Sequence, residues 1–533
     1  DDEEANLKLL GQNFENVVVV LNVGGIIDTK FFDKIDGLDS MLLMSQAGMT
    51  GGDALVEVLN GTVNPSGKLT DTWPVNFDDN PSSEGFANQD GNTAQELYND
   101  DIFVGYRYYD TFGKDVSYEF GYGGSYTTFA MQTQSVTADK DKVTVKVKVK
   151  NTGTVSGKEV AEVYFSAPEG NLDKPYQELA GYAKTDELAP GESQVLTITY
   201  DTTEMGSYDT DKAAYVMEDG DYIIRVGNSS RNTHVAGKIS VAEDTITEQY
   251  SNLMVPVTEN PNVADDEKYP TLEPMTTEGA TPITYDGEAD EIAAASTIAV
   301  DFTGYKAPEI IKENEDVDVY VSDTTETQYL KAENKDGATG EISRVEKGNK
   351  NSSDYTVTYN EHVKKFDGDF SKATLMDGKL KKLSIEQFVS ALSLEELAEL
   401  VNGHSGDATV RGVAGSTWRN DTKGITPVNL SDGPAGLRIT QKYKDGDQTY
   451  YQYATAWPIG TLLAQTWDTD QIYAYGEGVG EEMEEFGIGC WLAPGMNIHR
   501  NALCGRNFEY YSEDPVVVGV TGTAATLGVQ KSK

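Results

Sequence analysis

Charged side chains lie beside glycine and proline in the last part of the 533-residue chain. Asp432 opens the run Asp432-Gly433-Pro434, and Arg438 follows six residues later. Arg506 and Glu509 form a second charged group. Carboxylates accept hydrogen bonds from hydroxyl groups, and guanidinium groups donate them. Taken alone, Asp-Gly-Pro after an apolar stretch is more typical of an ordinary turn, and Arg506 with Glu509 of an ion pair that holds a loop.

Other acidic groups are given no chemical role. Asp468 and Asp470 lie beside a tryptophan, and residues 481–485 hold four glutamates, but such runs usually form the solvated face of a helix. The four histidines include no pair at helical ligand spacing, and the two cysteines, Cys490 and Cys504, lack the paired spacing of a zinc site. The sequence therefore predicts no metal site.

The overall charge limits the partners. Lys and Arg total 42 against 88 Asp and Glu, which gives a net charge of −46. This negative field repels phosphate backbones, so nucleic acid is excluded as a partner. Thirty Tyr and five Trp on an acidic chain suit neutral polyhydroxylated ligands, although excess acid also serves solubility. No apolar run is long enough to predict a membrane-spanning segment, and the first residues do not resemble a signal peptide.

The elements that must position these side chains follow from periodicity. Residues 17–25 are continuously apolar, which is typical of a strand buried on both faces of a parallel α/β sheet, and residues 51–59 form a helix. From Val143, valines alternate with polar residues, which predicts a half-buried antiparallel strand. Later strand candidates have the spacing of a β-sandwich. These are residues 160–166, 194–200 and 222–226.

The sequence pattern changes after the β-sandwich. Residues 250–380 are poor in large apolar side chains and are interpreted as a polar linker with some strands. Ser393 stands three residues before Glu396, as in a capping box that opens a helix. Alternating strands, glycine-rich loops and helices follow, as in the first third of a β/α barrel.

Five long motifs, rich in uncommon residues, occur in compatible places. Together they resemble glycoside hydrolase family three, and chance agreement of five such runs is improbable. The usual order places the barrel first, whereas this chain resembles the inverted-order branch, in which the barrel comes last. The motifs cover residues 64–69, 120–129, 429–438, 497–500 and 505–515.

The resemblance implies a multidomain α/β protein. Its expected parts are the second half of an α/β sandwich at residues 1–134, then a fibronectin type III-like β-sandwich at 135–243. An acidic polar linker or insertion follows at 244–384, and the first part of a (β/α)8-type barrel lies at 385–533.

The implied activity is that of an exo-acting retaining β-glycosidase, in the first place a β-glucosidase working by double displacement. Such an enzyme needs a nucleophilic carboxylate and an acid/base carboxyl roughly 5 to 5.5 Å apart. From the family pattern we expect the nucleophilic Asp after Lys533 and the acid/base Glu before Asp1. No catalytic residue is therefore predicted within residues 1–533, and glycosyl transfer to water needs no cofactor.

Residue roles also follow from the resemblance. Asp432 matches the carboxylate that accepts hydrogen bonds from the non-reducing-end sugar, and Arg438 and Arg506 match the arginines that fix it and donate to the hydroxyls. Glu509 is interpreted as structural, and residues 499–500 as loop scaffolding. The aromatic run 106–109 is interpreted as strand-like, and because strand aromatics usually pack a core, core packing is favoured over a place at the substrate entrance.

Three alternatives stay open. One is a non-catalytic carbohydrate-binding or scaffold fragment, but the retained motifs keep their polar residues, which favours truncation over decay. A β-xylosidase, or a phosphorylase or transglycosidase, would share every motif. The expected partner is an oligosaccharide or β-glycoside, homo-oligomerisation is left open, and a secreted or cell-surface bacterial location is favoured over a cytoplasmic one.

Overall fold

The computed structural model describes residues 2–89, 91, 96–251, 273–308, 389–390, 392–420 and 425–531, with the backbone of short strands between 318 and 384. The chain forms two compact units. The first contains residues 1–310, 457–475 and 495–527, and the second contains residues 311–456, 476–494 and 528–533.

Helices and strands alternate in the outer thirds of the chain, and strands dominate the middle. The helices are α1 (Asp2–Asn13), α2 (Lys30–Lys34), α3 (Gly51–Leu59), α4 (Tyr106–Thr111), α5 (Glu288–Ala294), α6 (Leu394–Val401), α7 (Gly460–Ala464), α8 (Thr469–Phe486) and α9 (Pro515–Gln530). The strands are β1 (Val18–Leu21), β2 (Ser40–Leu43), β3 (Trp73–Pro74), β4 (Val116–Tyr118), β5 (Phe129–Ala138), β6 (Lys142–Asn151), β7 (Val160–Ser166), β8 (Glu178–Lys184), β9 (Ser193–Asp201), β10 (Ser207–Asp209), β11 (Ala214–Met217), β12 (Gly220–Gly227), β13 (Thr233–Val241), β14 (Thr245–Gln249), β15 (Thr297–Val300), β16 (Asp318–Val321), β17 (Tyr329–Glu333), β18 (Thr339–Ser343), β19 (Thr374–Leu375), β20 (Lys381–Ser384), β21 (Gly415–Ser416), β22 (Asn429–Ser431), β23 (Lys442–Asp445), β24 (Gln448–Tyr451) and β25 (Cys490–Trp491). Among the helices of the described residues, none is both long and apolar enough to cross a lipid bilayer.

The α/β part of the first unit starts with two parallel strands. β1 pairs with β2 in parallel register, as predicted for this region. The predicted burial on both faces is wrong, because Val19 and Leu21 are buried whereas Val18 is 44% exposed. Side chains alternate along a strand, and the core cluster that contains Val19, Leu21 and Trp73 covers one face of β1.

The β-sandwich has the alternation read from the sequence. Val143, Val145, Val147 and Val149 on β6 are fully buried between a three-stranded sheet (β5-β6-β9) and a five-stranded sheet (β15-β13-β12-β7-β8). Their lysine and threonine neighbours face outward, so the strand is half-buried, as predicted.

The predicted linker contributes structure to this sandwich. β15 lies within the predicted linker and pairs in parallel with β13 at the edge of the five-stranded sheet. Arg225 on β12 forms a buried ion pair with Glu288 on α5. The boundary after residue 243 stays a prediction, but packing extends the sandwich past it. Further along, β16 pairs with β20, and β17 pairs with both β18 and β19.

Two local predictions have different outcomes. The capping box at α6 is confirmed, because the Ser393 amide donates to Glu396 Oε2 at 2.9 Å and the Glu396 amide donates to Ser393 Oγ at 3.2 Å. The aromatic run 106–109 was treated as strand-like but forms α4. Tyr106 and Tyr109 are buried there, which agrees with core packing.

Candidate functional site

Asp432 directly follows strand β22 in the second unit. β22 lies parallel to β25, with Leu430 opposite Cys490 and Ser431 opposite Trp491. The carboxyl ends of both strands therefore meet at one edge, which is the edge where β/α barrels carry their functional side chains. Asp432 is partly buried at this edge.

Residues 432–438, called here the strand-end loop, fold tightly. The Arg438 amide donates to the Asp432 carbonyl at 2.9 Å, which closes the loop. Gly433 and Gly436 have φ angles of +117° and +122°, and a Cβ on Gly433 would lie 1.8 Å from the Gly436 carbonyl oxygen. Only glycine fits at Gly433, so the loop conformation depends on it.

Strand β25 and the residues around β22 hold this loop in place. The Trp491 indole nitrogen donates to the Gly433 carbonyl at 2.9 Å. At the start of β22, the Asn429 side-chain amide donates to the Gly487 carbonyl at 2.8 Å. These bonds fix the strand ends, while the Arg438 side chain remains exposed.

Arg506 lies in the first unit, whereas Asp432 and Arg438 lie in the second. Arg506 precedes a short 3-10 turn at Asn507–Glu509, and its side chain is 70% exposed. Its Nε donates to the Glu509 carboxylate, and this hydrogen bond raises the pKa of Arg506. Glu509 itself is buried, in agreement with its interpretation as a structural partner.

A buried polar cluster joins residues 70–107 to residues 499–514 within the first unit. It is called here the polar joint. Glu513 is its centre: the carboxylate accepts from the Thr72 amide at 2.8 Å, the Thr72 hydroxyl at 2.7 Å and the Tyr106 amide at 2.8 Å. Burial, and next the nearby Asp71 charge, raise the pKa of Glu513, while these donors oppose the rise.

Asp514 continues the joint at the start of α9. Its Oδ1 accepts from the amides of Val516 and Val517 at 2.9 and 3.0 Å, which caps the helix. Its Oδ2 accepts from the Tyr106 hydroxyl at 2.8 Å and pairs with Arg107 at 3.3 Å. The Oδ2 contacts hold the helix against α4.

The scaffolding role of residues 499 and 500 agrees with their contacts. Arg500 binds the Asp100 carboxylate at 2.8 Å through Nε and at 2.9 Å through a terminal nitrogen, and it reaches Glu96 at 2.9 Å. His499 is buried and contacts Asp71 through one ring nitrogen.

Asp71 and Glu513 are the site residues that sequence reasoning missed. Asp71 lies in the polar run 70–72 between apolar segments, and Glu513 lies inside the motif at residues 505–515. The polar run between apolar segments was the signal that the sequence offered. The residues that contact it lie more than 400 positions away in the chain. Among the described residues, no group of three or more His, Cys, Asp and Glu side chains could hold a metal ion.

Family models match three parts of the chain. The glycosyl hydrolase family 3 C-terminal domain matches residues 1–106, a fibronectin type III-like domain matches residues 159–230, and the glycosyl hydrolase family 3 N-terminal domain matches residues 379–533. The C-terminal model thus precedes the N-terminal one, in the inverted order that the sequence predicted.

Relatives match along nearly the whole chain. Beta-glucosidase A of Butyrivibrio fibrisolvens is 35% identical over 99% of this chain and 59% of its own length. A beta-glucosidase of Ruminococcus albus is 33% identical over 99% of this chain and 48% of its own length. The crystal structure of a beta-glucosidase from Paenibacillus barengoltzii has a TM-score of 0.68 and 31% identity, and it covers all of this chain and 52% of that one.

The chain therefore spans about half the length of the relatives it matches. The multidomain architecture predicted from the motifs, with a fibronectin type III-like domain and partial α/β and barrel domains, is confirmed. The chain therefore contains the C-terminal and N-terminal domains of glycosyl hydrolase family 3 in inverted order, with a fibronectin type III-like domain between them.

Proposed function

We propose that this chain is part of an exo-acting retaining β-glucosidase and that the strand-end loop binds the terminal sugar. The observation that carries the proposal is the position of Asp432, at the carboxyl end of β22 beside the parallel β25, on a loop closed by Gly433. The names of the relatives, which are beta-glucosidases, support the choice of sugar.

The proposed sugar contacts divide between acceptor and donors. Asp432 accepts hydrogen bonds from two neighbouring hydroxyls of the non-reducing-end sugar, and the exposed guanidinium group of Arg438 donates to a hydroxyl oxygen. For Arg506, in the first unit, we separately propose a role as a donor to sugar hydroxyls. A pocket of this kind needs a free sugar end, so hydrolysis is exo-acting.

We also propose the domain limits near residues 134, 243 and 384.

The chemistry is that of a retaining glycosidase. One carboxylate attacks the anomeric carbon, a carboxylic acid protonates the leaving oxygen, and water then hydrolyses the glycosyl-enzyme. Neither carboxylate is assigned among residues 1–533. The proposal for this chain is therefore the binding half of the site, whose substrate is a neutral β-glycoside, in keeping with the net charge of −46.

The test is a substrate panel on the full-length protein. 4-Nitrophenyl β-glucoside, 4-nitrophenyl β-xyloside and cellotetraose are compared, and proton NMR follows the first anomer released. We expect glucose from the non-reducing end, as the β-anomer, with the glucoside preferred. A preference for the xyloside would change the proposed sugar from glucose to xylose and would leave the proposed reaction as it is. Failure to hydrolyse any of the three, internal cleavage of cellotetraose, or α-glucose as the first product would contradict the proposal.

A further inference from the structure

Both ring nitrogens of His499 face oxygen atoms. Nδ1 lies 2.6 Å from Asp71 Oδ1, and Nε2 lies 2.9 Å from the carbonyl oxygen of Asn507. A backbone carbonyl only accepts hydrogen bonds, so Nε2 carries the proton in that contact. The His499 and Asp71 side chains are 3% and 6% exposed, so this ring is held from both sides within the protein.

The residue that the ring holds directly follows Arg506. The Asn507 carbonyl also accepts from the Thr461 hydroxyl at 2.9 Å, and the Asn507 side-chain amide donates to the Asn501 carbonyl at 2.9 Å. Asn507 is therefore fixed on its main chain and its side chain. It opens the Asn507–Glu509 turn, so the same contacts fix the point from which Arg506 extends.

Arg506 depends on this turn for its direction. Its side chain is 70% exposed and donates to Glu509, at the far end of the same turn. The guanidinium group lies 5.8 Å from the ring centroid of Tyr510, the next residue along. A long, exposed side chain loses much of its rotamer freedom when it binds, so a backbone held in place and a partner on the same turn lower that loss.

We propose that Asp71 and His499 are a positioning pair, which holds the Asn507 carbonyl and thereby orients the Arg506 guanidinium for a sugar hydroxyl. The inference rests on the proposed function, because the orientation of Arg506 matters to activity only if Arg506 binds sugar. It makes sugar affinity depend on a carboxylate that lies 428 residues before His499 in the sequence. Neither residue of the pair touches the sugar.

Two substitutions of His499 test whether the hydrogen-bond donor to the Asn507 carbonyl is needed or the imidazole ring itself. Glutamine places its amide nitrogen near the position of Nε2, so His499→Gln keeps a donor for the Asn507 carbonyl. Asparagine reaches only the position of Nδ1, so His499→Asn keeps a group beside Asp71 and loses that donor. A binding group displaced by about 1 Å can lower activity about 100-fold.

The measurement is made on the full-length protein with 4-nitrophenyl β-glucoside as substrate and glucose as inhibitor. We expect His499→Asn to raise both KM and the inhibition constant of glucose by about 10-fold or more, and His499→Gln to change them less than about threefold. Neither constant depends on how much of the enzyme is folded, so partial unfolding alone would not move them. His234→Asn is the matched control, because His234 is an exposed histidine of the same unit.

A second variant guards against misfolding. His499→Asn leaves the buried Asp71 carboxylate without its imidazole, and Asp71→Asn combined with His499→Asn removes that charge. The double variant is expected to have the raised KM of His499→Asn. Equal increases in the Gln and Asn variants would overturn the donor role, and so would unchanged KM and inhibition constants in His499→Asn while the wild type hydrolyses the glucoside. A wild type that neither hydrolyses the glucoside nor binds glucose would overturn the proposed function and this inference together.

Discussion

The strand-end loop and the polar joint contain the same kinds of charged side chain but differ in how these side chains are buried and hydrogen-bonded. In the joint, Glu513 and Asp514 are buried, and each of their oxygen atoms accepts a hydrogen bond from the protein. In the loop, Asp432 is partly buried and Arg438 is exposed, while the backbone around them is held rigidly.

This difference separates a structural site from the proposed binding site. A buried carboxylate whose oxygens already accept hydrogen bonds from the protein has little capacity left for a ligand, and its removal leaves unpaired donors. A solvent-facing carboxylate on a rigid loop can exchange water for sugar hydroxyls. We therefore expect substitutions around Glu513 and Asp514 to change stability, and substitutions in the loop to change activity.

The largest expected effect is on activity. Asp432→Ala removes the two charge-assisted hydrogen bonds proposed between Asp432 and the sugar, each worth about 1.5 to 3 kcal/mol, so kcat/KM for 4-nitrophenyl β-glucoside should fall about 1000-fold. The melting temperature should stay within about 2 °C, since Asp432 is only partly buried. Asp447→Ala, at an exposed position of the β23–β24 turn, is the control. A fall in melting temperature with kcat/KM preserved would reverse the comparison.

The next effect is on stability in the joint. Gly105 has a φ of +60°, and a Cβ there would lie 2.0 Å from the Glu513 carboxyl carbon. Gly105→Ala should lower the free energy of unfolding by about 3 to 5 kcal/mol, measured by urea denaturation. Gly124→Ala is the control, because a Cβ at Gly124 meets open space. Equal stability of the two variants would show that the joint is not tightly packed.

The pH dependence of stability should also come from buried carboxyls. Burial raises the pKa of Glu162 to about 7, against opposing effects of Lys68 and a hydrogen bond from Tyr164. The folded state therefore holds this proton more tightly than the unfolded state, so stability falls as the pH rises from about 4.5 to about 7. Glu162→Gln removes this dependence.

The Glu162→Gln variant should gain on the wild type by up to about 3 kcal/mol of unfolding free energy between pH 4.5 and 7.5. Urea denaturation at four pH values in that range measures the difference. A difference that is the same at both ends would mean that the pKa of Glu162 is not raised in the folded state.

The smallest expected effect concerns Arg506. Arg506→Lys keeps the charge and loses the planar fork, so KM for the glucoside should rise about 10-fold. The side chain is 70% exposed, so the melting temperature should not change measurably. A KM equal to that of the wild type would contradict the proposed role of Arg506 as a donor to sugar hydroxyls.

Local patterns allowed much of the fold to be predicted. The valine alternation of β6 and the capping box of α6 depend on neighbours within a few residues, so the sequence shows them directly. The prediction that β1 is buried on both faces was wrong, because a continuously apolar run does not show which of its faces is covered. The tyrosines of α4 were treated as strand residues because aromatic side chains favour strands, and tertiary packing overrode that preference.

The site was predictable only in part. Asp432, Arg438 and Arg506 could be proposed because whole motifs carry them, whereas Asp71 has no motif that points to His499. Asp71 and His499 come into contact when segments 428 positions apart pack together, and no local periodicity encodes that pairing. The loop could thus be predicted from its own residues, and the joint could not.

Binding of glucose itself tests the central claim most directly. Isothermal titration of the full-length protein compares the wild type with Asp432→Asn, which keeps the size of the side chain and removes its charge. We predict that glucose affinity falls by at least about 10-fold in the variant while the melting temperature is unchanged. Equal glucose affinity in the two proteins would contradict the assignment of Asp432 and the strand-end loop as the sugar-binding site.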